Sequence, residues 1–114
     1  MAQLALPSME FLTALLEANL IVENNCLLAQ YPDRPEEKML IIWQPGYFVH
    51  DANGRIQILD QNGTVVAEVG QKLYMGGGES PLHGGLALAA PIPVPCRTSN
   101  IWVMGEFLPE EYRN

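Results

Sequence analysis

Two histidines and two cysteines are the side chains in this 114-residue chain best suited to nucleophilic or metal chemistry. A Cys96–His83 pair would supply a thiolate and its base, but the neighbouring residues do nothing to support that arrangement. Cys26, Cys96, His50 and His83 could also be written as a metal set, yet none has ligand spacing to another. Asp51 adjoins His50, and on a strand the two would face opposite ways. His83-Gly84-Gly85 has the look of an oxyanion-hole loop, but no Gly-x-Ser-x-Gly elbow accompanies it. The residues therefore lead us to expect no catalytic group, no metal and no cofactor.

Two further patterns invite a ligand and fail on position. Asp51-Ala52-Asn53-Gly54 and Asp60-Gln61-Asn62-Gly63 resemble the start of a calcium loop. Such a loop needs an oxygen ligand at position 5, glycine at 6 and a carboxylate at 12. Counted from Asp51, those places hold Arg55, Ile56 and Asn62. Gly76-Gly77-Gly78-Glu79-Ser80 suggests a phosphate loop, but the lysine that meets phosphate is missing and Glu79 would repel it. The glycines still allow close approach of a ligand or another backbone. Trp43, Tyr47 and Tyr74 fall on predicted strands beside this segment. Together with Gly76, Gly77, Gly78 and Glu79 they form the candidate site for an apolar or sugar ligand, against the alternative that these aromatics pack in the core.

These residues must be positioned by a small fold. Thirteen acids against six bases give a formal charge of −7, which repels nucleic acid and an anionic membrane surface. Hydrophobic residues make up 48 % of the chain, enough for one packed core. No apolar run is long enough to span a bilayer. The start, Met1 to Leu12, lacks a basic residue ahead of its apolar stretch and does not read as a signal peptide. A cytoplasmic protein, or an extracytoplasmic one whose signal has been removed, both fit. Cys26 and Cys96 are compatible with one bridge or with two separate buried thiols.

Ser8 is a fitting N-cap for a helix over about 9–18, whose apolar stripe is Phe11, Leu12, Leu15 and Leu16. That stripe is the candidate partner-binding surface, with the plugging of one end of a barrel as its alternative. Leu20-Ile21-Val22 and Cys26-Leu27-Leu28 flank Asn24-Asn25 and predict a hairpin. Tyr31 to Glu37 reads as a loop. Met39 to Trp43 reads as a strand, Pro45-Gly46 as a turn and Tyr47 to His50 as another strand. Alternation around Ile56, Ile58, Val65, Ala67 and Val69 predicts a hairpin from Gly54 to Gly70. Lys72 to Met75 resumes a strand that Gly76-Gly77-Gly78 is expected to break. A Pro-, Gly- and Ala-rich loop follows over about 80–95, with Pro91, Pro93 and Pro95 stiffening it. Ile101 to Phe107 is the last strand. The whole chain, 1–114, reads as a single β domain: a small antiparallel barrel or sandwich, of OB-like or SH3-like size, with one N-terminal amphipathic helix.

The runs Cys26-Leu27-Leu28, Leu40-Ile41-Ile42-Trp43-Gln44-Pro45-Gly46-Tyr47, Ile58 to Gly70 and Gly76-Gly77-Gly78-Glu79 cover about half the chain. Together they resemble a small uncharacterised β domain of bacterial exported proteins and lipoproteins. The resemblance implies a compact barrel, an extracytoplasmic setting and a pairing of Cys26 with Cys96. It implies no catalytic residues. The chain departs from it in showing no lipid-attachment cysteine near its start. The expected function is a non-catalytic binding or assembly module, acting on a protein partner or on itself. A small ligand-binding barrel and a metal-dependent or Cys/His hydrolase are the rivals.

Overall fold

A computed structural model describes residues 1–5, 14–81 and 88–107. Eight strands follow in order: β1 (Ala14–Glu23), β2 (Cys26–Tyr31), β3 (Arg34–Ile42), β4 (Phe48–Ala52), β5 (Arg55–Leu59), β6 (Val65–Glu68), β7 (Lys72–Pro81) and β8 (Asn100–Phe107). β1, β2, β3, β8 and β7 close into a barrel in that order, and β4-β5-β6 form a second sheet inserted between β3 and β7. The barrel is antiparallel except where β3 meets β8. There Leu40, Ile41 and Ile42 pair in parallel with Ile101, Trp102 and Val103, so the expected all-antiparallel arrangement is corrected at one seam.

The expected helix over 9–18 is also corrected. Ala14 to Ala18 belong to β1, residues 9–13 lie outside the described residues, and no α-helix occurs among the described residues. Leu16, Ala18 and Leu20 point into the barrel at a period of two, while Leu15 and Glu17 face out. β1 is paired along its length, with β7 over Ala14–Asn19 and with β2 over Asn19–Glu23. That pairing decides the conformation over the helix-like spacing of three and four.

Asn24 and Asn25 hold φ of 52° and 64° and make the two-residue turn between β1 and β2. Tyr31 to Glu37 is not a loop. Pro32 and Asp33 turn the chain, Tyr31 pairs with Arg34, and a bulge at Gln30/Tyr31 absorbs the irregularity. Pro35 is tolerated there because a bulged segment needs no ladder donor from it. Its carbonyl accepts the Gln30 side-chain amide at 2.8 Å.

The glycine run does not break β7, which continues to Pro81. A bulge falls between Met75 and Gly77, and Gly77 has φ of 147°. A Cβ on Gly77 would run into the Val103 carbonyl and lie 2.8 Å from Trp102 Nε1 and 3.0 Å from the Gly105 amide. Close approach of β7 to β8 is therefore what requires glycine here.

Two cores result. Leu16, Leu20, Leu27, Met39, Ile41, Trp43, Met75, Trp102 and Met104 fill the barrel. On the outside of β2, β3 and β8 lie Leu28, Leu40, Ile42, Ile101 and Val103, covered by Leu4, Ile92 and Cys96. These strands are buried on both faces, which is why they read as continuous apolar runs. The cover is a strap built from the N-terminal residues and 88–98. Leu4 N–H donates to the Trp43 carbonyl and Ala89 N–H to the Gln3 carbonyl, both at 2.9 Å, and Leu40 N–H donates to Thr98 Oγ1 at 3.1 Å. The Cys26–Cys96 disulfide, with Cα atoms 5.5 Å apart, fastens the strap to β2. Pro93 is extended, with φ of −57° and ψ of 143°, but Val94–Cys96 closes into a 3-10 turn in which Cys96 N–H donates to the Pro93 carbonyl, so the stretch expected to be extended through Pro95 is corrected there. No helix among the described residues is long and apolar enough to cross a membrane.

Candidate functional site: the inserted sheet

The sheet β4-β5-β6 owes its shape to turn chemistry. Asn53 and Gly54, with φ of 56° and 88°, join β4 to β5 in a two-residue turn. Asp51 Oδ1 accepts the Gly54 amide at 2.8 Å. At the next turn Asp60 Oδ1 accepts the Asn62 and Thr64 amides at 2.8 and 3.0 Å, and Gly63 has φ of 79°. Both Asp-x-Asn-Gly motifs thus spend a carboxylate oxygen on their own backbone, as Asx turns do.

One face of this sheet completes the barrel core. Ile58 pairs with Ala67, and both are buried in the inner cluster beside which Tyr47, Val66 and Val69 pack. The sheet is tied down at its ends: Gly70 N–H donates to the Leu20 carbonyl at 2.8 Å and Gln3 Nε2 to the Tyr47 carbonyl at 2.7 Å.

The other face looks to solvent. Register places Phe48 opposite Leu59, and Leu59 opposite Val65, so the three form one row across all three strands. Phe48 is 47 % exposed and Val65 48 %. The next row is polar: His50, Gln57 and Glu68. Arg55 closes on Glu68 with Nε–Oε1 at 2.6 Å and Nη2–Oε2 at 2.9 Å, a two-pronged contact. That hydrogen bond holds the Glu68 carboxyl below its usual range, against the opposing effect of its burial. On β4 itself Val49 is 43 % exposed, so both faces of the strand carry an exposed apolar side chain.

The residues singled out from the sequence are distributed differently. Trp43 is fully buried inside the barrel, with the half-buried Tyr47 ring 6.2 Å from it. Burial, and then the Asp60 carboxylate, raise the Tyr47 hydroxyl above its ordinary value. Tyr74 alternates out of β7 and pairs with Glu17 on the outer wall, the side away from Trp43. Gly76 to Gly78 lie buried in β7, while Glu79 is exposed and accepts the Asn100 side-chain amide at 3.0 Å. The structure therefore brings Trp43 and Tyr47 together and places Tyr74 and Glu79 elsewhere.

Phe11 and Leu12 lie outside the described residues. Leu15 is 71 % exposed and Leu16 buried, so strand geometry divides the expected apolar stripe between two faces. His83 also lies outside the described residues. The Cys96 sulfur is bonded to Cys26 and offers no thiolate for the Cys96–His83 pair that the sequence already left unsupported. His50 stands exposed on β4. Among the described residues no three of His, Cys, Asp and Glu gather into a metal-binding group.

The Phe48–Leu59–Val65 row was missed by sequence reading. The hairpin was legible, but a bulge between Ile58 and Leu59 shifts the partner of Leu59 to Val65, and only that shift aligns the row. No protein-family model matches this chain, and no curated protein or solved structure is significantly similar to it.

Proposed function

We propose that this domain is a non-catalytic protein-binding module, and that the solvent face of β4-β5-β6 is its docking surface. The observation that carries the reading is the Phe48–Leu59–Val65 row, in which exposed Phe48 and Val65 flank the half-buried Leu59 on a sheet whose Ile58 and Ala67 pack into the core from the other face. Such a surface meets a partner with little ordering cost, because the backbone beneath it is already fixed. An apolar centre with polar groups alongside is the usual layout of a docking patch. The disulfide supports work in an oxidising compartment, where such a bridge persists.

Site-specific photo-crosslinking in the producing cell tests this. Benzoylphenylalanine replaces Phe48, Val65 or, as a control on the β2–β3 side, Glu36. Adducts of one discrete mass from positions 48 and 65, without adducts from 36, are the expected result. Equal labelling from all three positions, or none from 48 and 65, overturns it.

A further inference from the structure

We infer that the free edge of β4 accepts an extended, basic and apolar peptide segment as an added strand. This rests on the reading of β4-β5-β6 as the docking surface and names the class of partner.

The argument begins with which backbone groups are used. Among the described residues β4 is the terminal strand of its sheet, with only β5 beside it. Ala52 and Arg55 flank the two-residue turn and form a hydrogen-bonded pair. Alternation then aims the N–H and C=O of His50 and Phe48 at β5, and those of Val49 and Asp51 at the open edge. The edge is regular. Five consecutive residue pairs run from Phe48↔Leu59 to Ala52↔Arg55 without a bulge. Phe48-Val49-His50-Asp51-Ala52 holds no proline and no lysine, the devices that blunt an edge. Phe48 and Val49 are exposed on its two faces, giving an incoming strand apolar contacts on both sides.

Charge selects the partner. Among the described residues, Arg34, Lys38, Arg55 and Lys72 lie within ion-pair distance of Glu37, Glu23, Glu68 and Glu17. Asp51 near the end of β4 and Asp60 just past Leu59 form no ion pair among the described residues. Backbone amides bind one oxygen of each without neutralising the charge. With a formal charge of −7 over the whole chain, a basic strand is attracted and a second copy is repelled. Strand addition is an established mode of peptide capture, with backbone bonds supplying affinity and flanking side chains selectivity.

The probe is the heptapeptide Lys-Val-Lys-Val-Lys-Val-Lys, with Glu-Val-Glu-Val-Glu-Val-Glu as its counterpart, titrated against the full chain by fluorescence anisotropy. Val49→Pro removes an outward N–H and leaves the β4–β5 bonds intact, so its melting temperature should match the wild type. The lysine peptide should bind the wild type and bind V49P about tenfold more weakly, the loss of roughly one backbone hydrogen bond. A lysine peptide with its central valine N-methylated should lose a similar factor without any change to the protein, which covers the case that V49P folds poorly. The glutamate peptide should bind at least about tenfold more weakly than the lysine peptide.

Undiminished binding in both the V49P and N-methyl arms overturns strand addition, leaving only charge attraction. Equal binding of the two peptides overturns the basic partner. A wild-type dimer in sedimentation that V49P converts to monomer assigns the edge to a second copy and also overturns it. Failure of the docking-face reading is distinguishable, because crosslinking from positions 48 and 65 would then be absent while the V49P and N-methyl effects persisted.

Discussion

Breaking the Cys26–Cys96 bond should cost this domain about 4 kcal/mol of stability. The bridge closes a loop with a sequence separation of 70. In the chain-entropy model, restoring that loop to the unfolded ensemble releases roughly 15 cal/mol/K, or about 4.4 kcal/mol at room temperature. For 114 residues the entropy of unfolding is of order 240 cal/mol/K, so the midpoint should fall by roughly 18 °C. Reduction is the cleaner perturbation, since the two thiols still fill their buried sites and pack as small apolar groups. Cys26→Ala with Cys96→Ala adds a small void and should cost somewhat more. Urea unfolding followed by tryptophan fluorescence is a direct assay, because Trp43 and Trp102 both lie in the inner core. The m-value should rise as well as the midpoint fall, because an uncrosslinked unfolded chain exposes more surface. A reduced protein within about 1 kcal/mol of the oxidised one, at the same m-value, would refute the argument.

Gly77→Ala should destabilise by about 3 kcal/mol or more, because the new Cβ meets the backbone of Val103 and Gly105 at a φ of 147°. Gly54→Ala, at a φ of 88° with open space around it, should cost only about 1–2 kcal/mol. Denaturant midpoints of the two variants check both, and equal losses would remove close packing as the reason for Gly77. Arg55 holds the Glu68 carboxyl below its ordinary value of 4.5. Its stabilising contribution is therefore fully present above pH 4.5 and is lost as pH falls through the lowered value. Wild type should lose more stability than Glu68→Gln between pH 6 and pH 3, and parallel pH profiles would count against the pairing.

Turns were the legible part of this chain. Asn24, Asn25, Gly46, Asn53, Gly54 and Gly63 each adopt the positive φ that their residue types allow. Those constraints are local, so neighbouring residues are enough to read them. β1 was misread because Leu12, Leu15 and Leu16 fit a helix while Leu16, Ala18 and Leu20 fit a strand, and only distant β7 and β2 choose between them. Gly76 to Gly78 carry no strand preference of their own, and their role comes from β8 pressing against them. The disulfide was legible as a pair of candidates and left open as a bond, since nothing near either cysteine encodes the distance between them. Tyr74 lies on β7 as the pattern predicts, while Trp43 and Tyr47, also expected on strands, sit one residue outside β3 and β4. Which wall of the barrel each faces depends on register, and register is fixed by long-range pairing and bulges.

The parallel seam between β3 and β8 bears on how quickly the chain can reach its folded form. Leu40 and Ile101 stand about 60 positions apart, and the inserted sheet and β7 must be laid down before they meet. Hairpins such as β1–β2 and β4–β5 can close early, because their turns are only two residues long. Ring closure is the entropically costly step, and the bridge from Cys26 to Cys96 spans almost the same interval. An oxidised chain therefore begins its search with the two edges of the seam already held near one another. The bond then acts as a folding guide, bringing closure of the barrel forward in time.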